Sequence, residues 1–316
     1  MKIPNGSNES DSLPMNPQNP VGVVPLQYDA FKKRDPETYT AERIYEEIAD
    51  AGYAGVPVGP YSGETPAEAV ARLARFGLRP APAYLAAGEP WKAANRAPLI
   101  EKAKRFAAFA RDAGVSECFL DADGWGYYTK SGVTRPEVAG RVTAGDGLSA
   151  PEFATLADTL NAVGAAMLDA GNVRACLHNH VGTVIESLTE LENILALTDP
   201  AKLFIGVDTG HLAWAGADVL GFVERYAPRI AAIHLKDIHP AVREKGVSEH
   251  WKYATFTQNG LFAELGEGAV DFGRIVSALR AAHYGGWLLV ETDVTTKATP
   301  AQSLRVSREY LRGLGY

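Results

Sequence analysis

Short apolar runs alternate with helix-period segments from residue 21 to the end of the chain. VGVVPLQ at 21–27 reads as a first strand, and Ala41–Ala51 follows as an amphipathic helix with Ile44, Ile48 and Ala51 on one face. Gly55–Val58 predicts a short second strand. Thr65 then caps a helix that has Pro66 at its first position and Glu68 three residues after the cap. Arg79–Tyr84 reads as a third strand weakened by its prolines. An Ala-rich helix over 97–113, the strand Glu117–Asp121 and a helix over 150–170 lead to a fifth strand, ACLHNH at 175–180. The pattern continues with a helix over 187–198, the strand LFIGVD at 203–208, a helix over 217–226 and the strand IAAIHLKD at 230–237. A helix over Val270–Ala282, the strand GWLLVE at 286–291 and a closing helix over Pro300–Leu311 complete it.

Eight strand–helix units in strict alternation predict parallel strands closed into a single (β/α)8 barrel, an α/β fold of the TIM type. A doubly wound open sheet fits less well, because no Gly-rich dinucleotide turn follows the first strand. Residues 1–20, rich in Asn, Ser and Pro, read as a disordered N-terminal tail, and 21–316 as the barrel. Two connections exceed what a barrel needs: 121–147, with Trp125, Tyr127 and Tyr128, and 238–268, with Trp251, Tyr253, Phe256 and Phe262. Both fall at the C-terminal face, where aromatic-rich loops suit a lid or a subunit contact.

Composition narrows the partners. A net charge of −7, with Lys and Arg spread along the chain, argues against nucleic acid. No apolar run approaches the ~20 residues that span a membrane. The tail lacks the apolar block of a signal peptide, and the two cysteines, Cys118 and Cys176, sit in apolar runs without metal-ligand spacing. A cytoplasmic protein acting on a small molecule is the expectation.

The chemistry gathers where the later strands end. These ends carry His178, Asn179 and His180; Asp208 and His211; His234, Lys236 and Asp237; and Glu291 with Asp293. Singly, a strand-end histidine is a hydrogen-bonded structural residue and an Asp before a helix is an N-cap. Four successive strands ending this way point instead to a shared site, and carboxylate oxygen with imidazole nitrogen suits a divalent metal. Lys236 either binds a substrate oxygen or pairs with Asp237 at the rim. Glu267, between glycines, reads as a turn residue, and Asp121 and Asp123 cap the following segment or touch substrate.

The order VDTGH, HLKD, GEGAVDF and GGWLLVE resembles the xylose-isomerase-like barrel superfamily of sugar isomerases, epimerases and dehydratases, over residues 21–316. The run LHNHVGTVIES is similar to a segment of its inosose (2-keto-myo-inositol) dehydratase branch. The resemblance implies one divalent ion, manganese or cobalt with magnesium as a further candidate, held by Asp208, His234 and Glu291. It implies Glu186 as the fourth ligand, with His178 the alternative. On this reading His211, His180 and Lys236 are catalytic, and His178, Asn179 and Trp125 contact substrate. The implied activity is dehydration of a keto-polyol through enolisation. A ketose epimerase or isomerase, or a 3-keto-glycoside eliminase, would use the same chemistry, and homo-oligomers are common among such barrels.

Overall fold

The computed structural model describes residues 19–61 and 63–316. Its strands are β1 (Val21–Val24), β2 (Gly55–Pro57), β3 (Arg79–Ala81), β4 (Ala83–Leu85), β5 (Glu117–Leu120), β6 (Arg174–Leu177), β7 (Leu203–Asp208), β8 (Ile230–Leu235), β9 (Asp237–Ile238), β10 (Phe262–Ala263) and β11 (Leu288–Glu291). The main sheet runs β3-β2-β1-β11-β8-β7-β6-β5-β4, and every neighbouring pair is parallel. β3 and β4 are the two halves of the expected third strand. Pro82 separates them, having no N–H to give a ladder. β3 pairs with β2 and β4 with β5, so the ring closes through the chain itself, and the eight-stranded expectation holds.

The helices form where the caps ask for them. Thr40 accepts a hydrogen bond from the Arg43 amide, Gly52 ends the helix Ala41–Ala51 at φ 90°, and Ile44, Ile48 and Ala51 are buried as the period requires. Thr65 and Glu68 make a reciprocal capping box at the start of the helix Pro66–Ala74. The barrel interior holds Ala81, Phe119, Cys176, Ala232 and Leu289, while a larger core fills the layer between strands and helices. Cys118 and Cys176 are buried free thiols. No helix among the described residues is long and apolar enough to cross a membrane.

Three features depart from the sequence reading. Asn19 and Pro20 belong to the barrel: Asn19 Nδ2 donates to the carbonyls of Tyr284 and Gly286 at 2.9 Å each, and the Leu288 amide donates to the Pro20 carbonyl. The rest of the expected tail, residues 1–18, lies outside the described residues. A short helix, Thr209–Trp214, follows β7 directly. The connection after β8 is no open loop; it folds into helices Pro240–Ser248 and Tyr253–Gln258 and the antiparallel pair β9–β10. These elements pack on a second apolar cluster around Trp214, Phe256 and Phe262, a tertiary contact that local pattern does not announce.

Candidate active site

The polar residues come in pairs two positions apart: His178 and His180, His234 and Lys236, Glu291 and Asp293. Successive residues of extended chain point to opposite sides, so each pair shares a direction, and here it is the barrel mouth. The intervening residues face away. Asn179 Nδ2 donates to the Asp208 carbonyl at 3.0 Å and its Oδ1 accepts from the Asp208 amide at 2.9 Å, so Asn179 ties β6 to β7. Asp237 accepts hydrogen bonds from the amides of Ile238, Gly266, Gly268 and Val270 and so fixes the GEGAV turn. It does not pair with Lys236.

Asp208 serves two roles at once. Its Oδ1 caps the helix Thr209–Trp214 by accepting from the His211 amide at 2.9 Å. Its Oδ2 is buried, 3.2 Å from Lys236 Nζ and 3.6 Å from His234 Nδ1. His234 Nδ1 and Glu291 Oε2 are likewise buried and face each other at 2.7 Å. Two carboxylate oxygens and an imidazole nitrogen thus converge on one point, where a divalent ion could take the place of the imidazole proton. The donor set fits a divalent ion. His178 adds a fourth: its Nδ1 lies 3.3 Å from the Gly206 carbonyl, which can only accept, so Nε2 keeps its lone pair. Ligand atoms of His178, Asp208 and His234 lie within 4.8 Å of one another.

A second grouping, His180, His211 and Asp293, has similar spacing, but a cation of the chain's own sits within it. Lys236 Nζ is 2.8 Å from Asp293 Oδ1, 2.9 Å from His211 Nε2, 3.1 Å from Glu291 Oε1 and 3.2 Å from Asp208 Oδ2. Its stem passes over Gly210, where a Cβ would stand 2.4 Å from a lysine carbon. Burial works against the ammonium charge, yet Asp208, Asp293 and Glu291 hold it protonated. An ammonium only donates, so His211 Nε2 accepts from it.

Burial pushes the histidines apart in character. It takes His178 down to about 3 and, with Lys236 nearby, His180 down to about 4; His211 lies well below its ordinary value through burial and the adjacent His180. His234 goes the other way: burial is outweighed by Glu291 and Asp208, which raise it to about 9. The site favours positive charge between those carboxylates. His180 Nδ1 donates to the Val181 carbonyl at 2.7 Å, which leaves Nε2 as a free base at the cavity wall.

The cavity above has a volume of about 560 Å³. His178, His180, His234, Glu291 and Trp125 line it. His211 and Lys236 are fully buried and do not line it; they lie behind the cavity surface. Asn179, expected at substrate, is a tie between strands. Glu186, expected as a ligand, is not brought to the cluster: Oε1 accepts from the Gly140 amide at 2.8 Å, Oε2 from the Gly182 amide at 2.7 Å, and Arg135 stands 4.0 Å away. His178, the alternative to Glu186, is the one whose ligand atom lies with those of Asp208 and His234.

Two further cavity residues come from segments read in the sequence as a cap or substrate contact and as a lid or subunit contact. Asp121 ends the run ECFLD, the same strand-end signal that flagged the others; it accepts from the Ala87 amide at 2.6 Å, and burial raises it to about 6. Tyr253, from the helix after Ser248, closes against Trp125 at 4.8 Å between ring centroids. Phe119 lies under His234 with centroids 3.8 Å apart and fixes that ring.

A model of the xylose isomerase-like TIM barrel family matches residues 45–314. An inosose dehydratase of Geobacillus kaustophilus is 27% identical over 277 residues, 86% of this chain and 87% of its own. The inosose dehydratase of Clostridium beijerinckii is 33% identical over 162 residues; there the match spans about half of each protein, 51% and 54%. The crystal structure of IOLI protein with a binding zinc atom has the same fold, with a TM-score of 0.66 at 11% identity over 94% of this chain and 98% of that one. These likenesses put the chain among enzymes that act on sugars and polyols.

Proposed function

Because this chain belongs to the xylose isomerase-like TIM barrel family, we propose that it dehydrates a keto-polyol by enolisation, as an inosose dehydratase-like lyase. The observation that carries the reading is the convergence of Asp208 Oδ2 and Glu291 Oε2 on His234 Nδ1, at 3.6 and 2.7 Å, beside the free base of His180. His178, Asp208, His234 and Glu291 would hold a divalent ion; manganese and cobalt suit this oxygen-and-imidazole set, and magnesium remains a candidate. When bound, the ion supplies Lewis-acid polarisation of the substrate ketone.

The chain's own groups handle the protons. His180 Nε2 takes the proton from the carbon next to the ketone. The electrons of that C–H bond form the enolate; as the ketone is re-formed they make the C=C bond to the β carbon, the β C–O bond breaks, and the hydroxyl leaves as water with a proton from Asp121. A carboxyl raised to about 6 by burial gives up a proton near neutral pH more readily than an alcohol and holds it longer than an exposed Asp. Lys236 and His211 act through others. Lys236 neutralises Asp208, Glu291 and Asp293, and His211 fixes the ammonium. Trp125 and Tyr253 exclude water from the mouth.

The test is incubation of manganese-loaded protein with 2-keto-myo-inositol, followed by mass loss of water and ultraviolet absorbance of the unsaturated ketone. Product formation that stops on chelation and returns with metal is the expected result. Deuterium uptake from solvent without water loss would make the protein an epimerase, with His180 and Asp121 exchanging protons. No uptake from any ketose or keto-glycoside would overturn the enolisation reading.

A further inference from the structure

The two walls of the cavity differ in kind. The ends of β5, β6, β8 and β11 give Asp121, His178, His180, His234 and Glu291, all able to bond hydroxyls or hold an ion. The ends of β1, β2 and the β3–β4 strand give Val24, Leu26, Pro57, Pro82 and Ala86, with the rings of Tyr61 and Tyr84 beside them, the Tyr84 hydroxyl set against Asp121. Tyr61 offers no free hydroxyl: it accepts from the Tyr84 amide at 3.0 Å and donates to the Tyr84 carbonyl. Pro57 and Pro82 have no amide hydrogen to lend. Away from the Tyr84 hydroxyl, which sides with Asp121, this wall therefore lacks side-chain partners for a sugar hydroxyl.

A polyol ring pressed against that wall would lose water from its hydroxyls and gain no replacement. An apolar ring would gain from the same contact. Size agrees. About 560 Å³ falls in the range that encloses drug-sized ligands, beyond the needs of one polyol ring. Trp125, 46% exposed, and Tyr253 stand at the mouth and add further ring faces.

We propose that the substrate is a keto-polyol ring carrying an apolar, ring-sized substituent, with the polyol at the His/Asp/Glu cluster and the substituent along the Val24–Pro57–Pro82 wall. An aryl glycoside oxidised to a ketone has this composition. The identity of the polyol half rests on the enolisation reading above; the apolar half rests on the wall alone.

Calorimetry on metal-free protein separates the two. Phenyl β-glucoside is expected to bind at least about tenfold more tightly than methyl β-glucoside, a difference of about 1.4 kcal/mol. Ala86 is exposed, so Ala86→Trp fills the wall without disturbing the core, and it should erase the preference. Equal affinities, or no saturation by either glycoside, overturn the proposal. Solvent-deuterium exchange with 2-keto-myo-inositol and with phenyl 3-keto-glucoside, on manganese-loaded protein, reads the chemistry separately. Exchange without a phenyl preference removes the apolar subsite and leaves enolisation standing. A phenyl preference without exchange supports the subsite and removes the enolisation.

Discussion

Two buried groups of carboxylates lie within this barrel, and they are built on opposite principles. Around Arg135, which is fully buried, Glu190 makes a two-pronged ion pair at 2.8 and 2.9 Å, and Glu186 takes the amides of Gly140 and Gly182. Glu190 also accepts from Ser187 and its amide. Both oxygens of each acid have partners, and the network joins the 121–147 connection to the turn after His180. Around His234, by contrast, Asp208 Oδ2 and Glu291 Oε2 face imidazole and ammonium groups in place of amides. Burial alone marks neither group as a site. The difference is whether the carboxylates are held by amides and a guanidinium or turned together toward an imidazole at a cavity.

The sharpest way to break that comparison is to remove one of the carboxylates at His234. Asp208→Ala is expected to drop bound manganese to background and to lower deuterium exchange by more than the about 10–100-fold typical of losing an outer-shell partner. Metal analysis and exchange rates on the purified variant check it, and unchanged metal would remove the proposed centre. His180→Gln should keep the metal while slowing exchange by about 10²–10⁴, the usual share of a general base. Loss of metal in that variant would make His180 a ligand rather than a base.

Arg135→Met should act in the opposite sense. Glu190 and Glu186 would be left facing a methylene chain, and breaking a buried pair costs about 3–5 kcal/mol. Urea denaturation should show the fall in stability, while metal content at saturating manganese stays unchanged. If the metal leaves with Arg135, the two groups are one unit.

Much of this was legible, for identifiable reasons. The alternation of strands and helices survives because each element satisfies its own caps and faces, as in Ala41–Ala51 and Pro66–Ala74. The strand-end pairs follow from a period of two, and the same parity would have turned Asn179 outward had it been applied at 178–180. Glu186 was not legible. It stands in the expected LHNHVGTVIES run, but its oxygens are claimed by Gly140 and Gly182, and Gly140 comes from a connection over forty residues upstream. The apolar wall was hidden for a similar reason: Val24, Pro57 and Pro82 are far apart in sequence, and only ring closure sets them side by side.

The finest test of the satisfied group is its pH dependence. Burial raises the Glu186 carboxyl from 4.5 to about 7, against the pull of Arg135 and of the Gly182 and Gly140 amides. Between those values the native state holds more protons than the unfolded chain, so stability must fall as pH rises. The contribution is fully present below about 4.5 and is lost by the time pH has passed about 7, and it amounts to roughly 3 kcal/mol. Glu186→Gln removes the titration while keeping the volume. Urea unfolding of both proteins from pH 5 to 8 should show wild type losing stability relative to the variant, most steeply between pH 5 and 7. A flat difference would mean that the two amides and Arg135 keep Glu186 ionised throughout, and that its neighbours compensate burial fully. The carboxylates at His234 are compensated differently, by the ammonium of Lys236 and the imidazole of His234, groups that a divalent ion could join.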